Sequence, residues 1–172
     1  VLGAGVGWTN SILYNPKLYD EYSSVFARID SFALGVCNGC QMMSNLSNII
    51  PGAEHFPKFK RNLSEQFEAR LVMVEINNSP SILFKNMHGS QLPIIVAHGE
   101  GRAEFKTNLA LAHTHTTMQY IDNNGAITEA YPFNPNGSLN AIAALCNSDG
   151  RFNIMMPHPE RLMRTINMSW HD

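Results

Sequence analysis

A cysteine that ends a buried strand and opens a helix is placed to attack a substrate. In this chain it is Cys37, within Gly35-Val36-Cys37-Asn38-Gly39-Cys40-Gln41. An apolar run, Phe32 to Val36, precedes it, and Met42, Met43, Leu46, Ile49 and Ile50 follow at helical spacing. The pattern predicts a nucleophile elbow, with the side chain pushed out at the carboxyl edge of a sheet. Free N–H groups of the first helical turn and the positive end of the helix dipole favour a thiolate there. The second chemical group is Pro157-His158-Pro159-Glu160. Pro159 biases His158 toward extended angles, and extended residues two apart project to the same side. Glu160 can then bond one ring nitrogen and hold the other toward a thiol, the orienting role in a nucleophile, base and orienter triad. Convergence requires the strand ending at Met156 to lie near the one ending at Val36.

Each group has a blander reading. A lone cysteine at a strand-helix junction is more often a small buried residue. His158 could be a turn histidine, and Glu160 a first-turn carboxylate favoured by a helix dipole. Cys37 and Cys40 form a Cys-x-x-Cys pair, so a thiol redox module is open; a zinc module would have to recruit Cys146 or histidines. His113 and His115 would share a strand face, but no acidic or thiol partner lies nearby in sequence, which argues against a metal.

The elements that must position these groups can be read in turn. Asn15-Pro16 starts a helix running to about Arg28, with Leu18, Tyr19, Tyr22, Val25 and Phe26 as its apolar stripe. Ser31 to Val36 is the strand that delivers Cys37, and the following helix is expected to end near Pro51-Gly52. Such a βα pair points to a mostly parallel sheet with helices on both faces. Strand patterns recur at 69–76, 92–97 and 118–121. Asp122 to Gly125 and Asn147 to Gly150 predict hairpin turns, the second joining 141–146 to 152–156, which makes the second half rich in hairpins. Gly3, Gly5 and Gly7 do not form a dinucleotide fingerprint and read as a flexible turn.

Composition sets the outer limits. A chain of 172 residues with 44% hydrophobic content can bury one core, so a single α/β domain is expected. A formal net charge of −2 argues against nucleic acid or membrane as the main partner. Lys58, Lys60 and Arg61, interleaved with Phe56 and Phe59, read as a solvated loop or docking surface. No run approaches a membrane span, and three cysteines, two in one turn, fit reduced cytosolic thiols better than a disulfide framework.

Gly35-x-Cys37-x-Gly39-x-Gln41 with a late His158-x-Glu160 resembles the glutaminase signature of class I glutamine amidotransferases. Leu34 to Ser44, Gln66 to Arg70, His98-Gly99-Glu100-Gly101-Arg102, Asn134 to Ser138 and Met155 to Arg161 are similar, in order, to the C-terminal glutaminase domains of phosphoribosylformylglycinamidine synthases of the large, single-chain form. The resemblance implies a flavodoxin-like α/β domain that hydrolyses glutamine and passes ammonia to a synthase region of the same polypeptide, in purine biosynthesis in the cytoplasm. It implies Cys37 as nucleophile, His158 as general base and acid, and Glu160 as its orienter. Asn38 and Gly39 would serve the oxyanion and substrate, Gln41 would lie near glutamine, and His98, Glu100 and Arg102 would lie at the edge of the site. It implies no metal or organic cofactor for this step, with ATP and Mg²⁺ used in the synthase region outside this chain. The family's domain begins earlier, with a first strand and a glycine-containing loop that supplies another oxyanion donor. Residues 1–172 are therefore expected to be a partial domain, poorly stable or inactive alone.

Overall fold

A computed structural model describes residues 3–168. Helix α1 (Ala4–Leu13) occupies the stretch expected to be a flexible turn. The glycines there serve close packing: a Cβ on Gly5 would lie 2.5 Å from Cβ of Gln41 and 2.9 Å from the Asn38 carbonyl oxygen. Helix α2 (Pro16–Ala27) begins as its sequence predicts, with the Asn15 side chain accepting hydrogen bonds from the N–H groups of Lys17 and Leu18. Strand β1 (Ala33–Val36) leads into α3 (Asn38–Asn45), which ends well before Pro51. Lys58 explains part of that early stop. Its Nζ donates to Oδ1 of Asn45 at 2.8 Å and to the Ser44 carbonyl at 3.3 Å, so it caps the helix rather than decorating a solvated loop.

The remaining strands are β2 (Lys58–Lys60), β3 (Glu68–Ile76), β4 (Gln91–His98), β5 (Arg102–Glu104), β6 (His115–Ile121), β7 (Ile142–Cys146) and β8 (Phe152–Met155), with a short helix α4 (Asn108–Ala112) before β6. Six strands form one sheet in the order β1-β8-β7-β6-β3-β4, while β2 and β5 pair separately. Only β1 and β8 run parallel, with Val36 opposite Met155; β8-β7, β7-β6, β6-β3 and β3-β4 are antiparallel. The expectation of a mostly parallel sheet is thus corrected for the described residues, whereas the α/β class stands. The cause is local connection. The Asn147–Gly150 turn folds β7 directly onto β8, and a short link can only produce an antiparallel neighbour. The Asp122–Gly125 turn also forms, its Asp122 carboxylate accepting from Asn124 and Ala126 N–H, but beyond it only a single bridge, Ile121 to Ile127, follows.

Helices on both faces is the second expectation to be corrected. Helices α1, α2 and α3 all pack on one side, where Ile12, Phe26, Met43 and Leu46 meet Ile142, Leu145, Phe152 and Ile154. Phe26 sits edge-on to Phe152 at 5.3 Å, and each such fully buried large side chain contributes about 1.5–3 kcal/mol. The opposite face gathers Val72, Val74, Ile94, Val96, Met118, Tyr120 and Met155, and it is covered by Phe84 and Met87 of the β3-β4 connection rather than by a helix. The sheet curls until its far edge meets the segment after β8: His158 N–H donates to the Ile95 carbonyl at 2.7 Å. That curl brings the end of β4 to the ends of β1 and β8. No helix among the described residues is long and apolar enough to cross a membrane.

Candidate active site

Cys37 has φ 51° and ψ −106°, left-handed backbone that costs a non-glycine residue of order 1–3 kcal/mol and persists only where neighbours enforce it. They do so on both sides. Its N–H donates to the Met155 carbonyl at 2.9 Å, and its own carbonyl accepts from Gln41 N–H at 3.0 Å. Gly35 makes the tight turn possible, because a Cβ there would lie 2.6 Å from the Gly39 carbonyl oxygen and 2.8 Å from Met43 Sδ. The elbow therefore closes only with glycine on the strand side.

At the end of β8, His158 and Glu160 lie side by side, Nδ1 to Oε1 at 2.6 Å. The other ring nitrogen, Nε2, is buried with no closed hydrogen bond, yet it lies within interaction range of Cys37. Burial pushes the Cys37 thiol up, but the pull of His158, aided by the Asn38 N–H, outweighs it and the net direction is down. His158 moves the opposite way. The Cys37 thiolate draws its pKa up against burial, and Glu160 adds to the rise. Burial works against Glu160 as an anion, and its hydrogen bond to His158 takes it below the usual range all the same. These directions describe a thiolate-imidazolium pair steadied by a carboxylate, the ionisation a cysteine nucleophile needs.

Cys37 opens onto a cavity of about 430 Å³ lined also by Asn38, Gln41, Arg61, Glu65, Gln66, Phe67, His98, Gly99 and Glu100. The volume suits a small molecule, and both signs of charge line it. Gln41 Nε2 donates to the Glu100 carbonyl at 2.7 Å, tying the elbow helix to the loop after β4. Gly39 does not line the cavity; a Cβ there would meet nothing within 4 Å. Of the three residues expected at the edge of the site, His98 and Glu100 line the cavity and Arg102 does not: its Nε donates to the Arg61 carbonyl and its guanidinium pairs with Glu104 at 3.6 Å.

Cys40 is fully buried behind the elbow, where burial holds its thiol well above its ordinary pKa, and burial pushes Cys146 up to about 12. Neither is poised to be a thiolate. His55 sits edge-on to His115 at 5.5 Å, with its Nε2 on the Cys146 carbonyl, and neither ring lines the Cys37 cavity.

The sequence reading missed Asn62 and gave Asn134 to Ser138 as a motif without a role; these groups hold the far side of the cavity. Asn62 donates through Nδ2 to the Gln66 and His98 carbonyls and accepts through Oδ1 from Gly101 N–H, clamping the loop from both flanks. Behind it, Ser138 Oγ accepts from Ala103 N–H and donates to the Gly101 carbonyl, while Asn134 and Asn136 fold the Ser138 turn on itself. Clustered Asn and Ser residues were the signal, and such side chains suit water as well as a buried backbone.

Fold and site together have the form of a cysteine-nucleophile α/β domain with its reactive group on a strand-helix elbow. The chain belongs to the CobB/CobQ-like glutamine amidotransferase domain family, whose model matches residues 1–172. Among solved structures it is similar to PurLQS from Thermotoga maritima, at 22% identity and a TM-score of 0.66, over 92% of this chain and 65% of that one. The chain thus spans a little under two thirds of the length of that relative, and the likeness is one of fold. A glutamine amidotransferase from Thermotoga maritima matches at 11% identity and a TM-score of 0.44, over 84% of this chain and 49% of that one.

Proposed function

We propose that this domain hydrolyses glutamine at Cys37 and delivers the ammonia to a synthase region of the same polypeptide, as the glutaminase part of a phosphoribosylformylglycinamidine synthase. The observation that carries the reading is the meeting of Cys37, on its strained elbow, with the His158-Glu160 pair at the end of the neighbouring parallel strand. Arg61 and the carboxylates Glu65 and Glu100 in the cavity wall suit the α-carboxylate and α-ammonium of an amino acid. The Cys37 thiolate attacks the carboxamide carbon, and the oxyanion forms beside the N–H groups of the first turn of α3, Asn38 foremost. Such a donor typically contributes about 3–4 kcal/mol to the transition state. Protonated His158 gives its proton to the departing nitrogen, releasing ammonia and leaving a glutamyl thioester. His158, now neutral, takes a proton from water, which displaces Cys37 and restores the ion pair. Every proton moves between His158 and the reacting atoms, so this half-reaction needs neither metal nor organic cofactor. ATP and Mg²⁺ belong to the amidine-forming half outside this chain, a cytoplasmic step with no nucleic acid or membrane partner.

The test is mass spectrometry of the full-length protein after treatment with a diazo-ketone analogue of glutamine. A single adduct on Cys37, lost in Cys37→Ala and blocked by excess glutamine, is the expected result. Equal labelling of Cys37 and Cys40 that glutamine does not block overturns it.

A further inference from the structure

Buried polar atoms without partners are uncommon, because each costs about 1–3 kcal/mol when left unsatisfied. Among the described residues seven side-chain atoms are in this state, and four of them belong to His98, Glu68 and His158. Both ring nitrogens of His98 are unpartnered in a side chain only 3% exposed, at the wall of the cavity that holds Cys37. Glu68 is its direct partner across the β3-β4 ladder. One Glu68 oxygen, Oε2, accepts from Arg70; the other, Oε1, is buried and free. His158 Nε2 completes the group and lies within electrostatic range of His98.

The ring of His98 is fixed in place. A Cβ on Gly101 would lie 2.2 Å from its Cε1 and 2.4 Å from its Nδ1, so the imidazole lies flat on the glycine backbone. Asn62 holds the His98 and Gly101 backbone together beneath it. Burial drives the imidazole down to about 4, so at neutral pH it carries one donor and one acceptor. A carboxylate ligand would use only the donor, and an ammonium only the acceptor. The two nitrogens point apart, so a small molecule in the cavity meets one of them, and an uncharged ring there can donate a hydrogen bond to a lone pair or accept one from an N–H or O–H, which suits ammonia and water alike.

We propose that His98, backed by Glu68 on the neighbouring strand, holds the ammonia that leaves the acyl carbon and then the water that takes its place. This rests on the glutaminase reading above. Leaving ammonia and entering water occupy one position, since both exchange their proton with His158 Nε2 on the same side of the carbon. In the second step the water oxygen bonds to the thioester carbon, its proton passes to His158, and the carbon-sulphur bond breaks with its electron pair going to Cys37. His98 aims the lone pair, and its neutrality keeps it from competing for the proton.

The experiment uses the full-length protein with His98→Leu, His98→Gln and Gly101→Ala. Diazo-ketone labelling of Cys37 releases no ammonia and needs no water, so it persists in all three. With glutamine as substrate, His98→Leu and Gly101→Ala accumulate the glutamyl-Cys37 thioester, seen by intact mass, and turn over roughly tenfold more slowly, the loss of one positioned hydrogen bond. Added hydroxylamine, a nucleophile that does not depend on aim, restores turnover in both. His98→Gln, with a donor and an acceptor, retains most of the rate. Normal turnover without thioester in His98→Leu overturns the proposal. So does loss of labelling in both His98 variants, which would make His98 a packing residue. Failure of the wild-type protein to label at Cys37 sinks the glutaminase reading itself and is seen before any variant is tested.

Discussion

The two walls of the cavity are built on opposite principles. The elbow wall carries charge and strain: Cys37 at positive φ, a thiol drawn down, an imidazole drawn up and a carboxylate half in solvent. The far wall presents Arg61, Glu65 and Glu100 to the cavity, but behind them it is held by hydrogen bonds between neutral groups, with Asn62, Asn134, Asn136 and Ser138 all buried and His98 uncharged. Acyl transfer moves charge along one line, between sulphur, carbon and the imidazole. A second ionised ring beside that line would compete with His158 for the thiolate. The groups that exchange the proton sit together on one wall, and the scaffold of the other keeps its shape through neutral hydrogen bonds.

Breaking the elbow wall should have the largest effect. In Gly35→Val the new side chain runs into the Gly39 backbone, which cannot step aside as a flexible side chain could. Glutaminase activity is expected to vanish and stability to fall by about 3 kcal/mol, the upper end of overpacking costs, as read by denaturant unfolding of the full-length protein. Breaking the far wall should cost less and look different. Asn62→Ala removes three side-chain hydrogen bonds and leaves backbone groups of Gln66, His98 and Gly101 unpaired. It should destabilise the domain by about 2 kcal/mol and raise KM for glutamine, while a small neutral thiol reagent still alkylates Cys37 at the wild-type rate. Slowed alkylation would mean that the two walls are one unit.

The walls also differed in how far the sequence disclosed them. Cys37 was legible because an elbow is a local pattern, an apolar run turning into helical spacing, and His158 with Glu160 because extended residues two apart share a side. The β7-β8 hairpin was legible for the same reason, its Asn147–Gly150 turn being written in four residues. Sheet order was not, since β3 lies between β4 and β6 through contacts that no short window contains. Helix α1 was misread because Gly5 is explained by Gln41, which lies far along the chain. Asn134 to Ser138 matched a family motif, but its role was not legible, because the same polar side chains serve water or a buried backbone equally well. Only the position of the Gly101–Ala103 backbone decides, and that is a tertiary fact.

A smaller effect sharpens the elbow side. Glu160 is 54% exposed at its side chain, so solvent screens its hold on His158. Glu160→Gln keeps a hydrogen-bond acceptor and removes the charge, and activity should fall only about tenfold. The pH profile is the sharper reading. Activity requires Cys37 deprotonated and His158 protonated, so the acid limb follows the thiol and the alkaline limb follows the imidazole. Glu160 helps to hold the imidazole pKa up, and its neutralisation lets that pKa fall. The alkaline limb of kcat/KM should move to lower pH while the acid limb moves little. An unmoved alkaline limb would leave Glu160 with no electrostatic part in the triad.

The smallest effect is expected at the second cysteine of the pair. Cys40 is fully buried against the core that α3 shares with α1, and its thiol is held protonated by burial. Cys40→Ala removes one buried sulphur and should cost about 1–2 kcal/mol of stability through the small cavity it leaves. It packs behind the elbow without lining the cavity, so the rate of Cys37 labelling by the diazo-ketone analogue and its protection by glutamine should not change. A redox or zinc module could not survive that substitution, because both need two thiolates and Cys40 would have to leave the core to supply the second. Elbow chemistry needs Cys40 only as packing behind the helix that carries the oxyanion donors, a role that alanine largely fills.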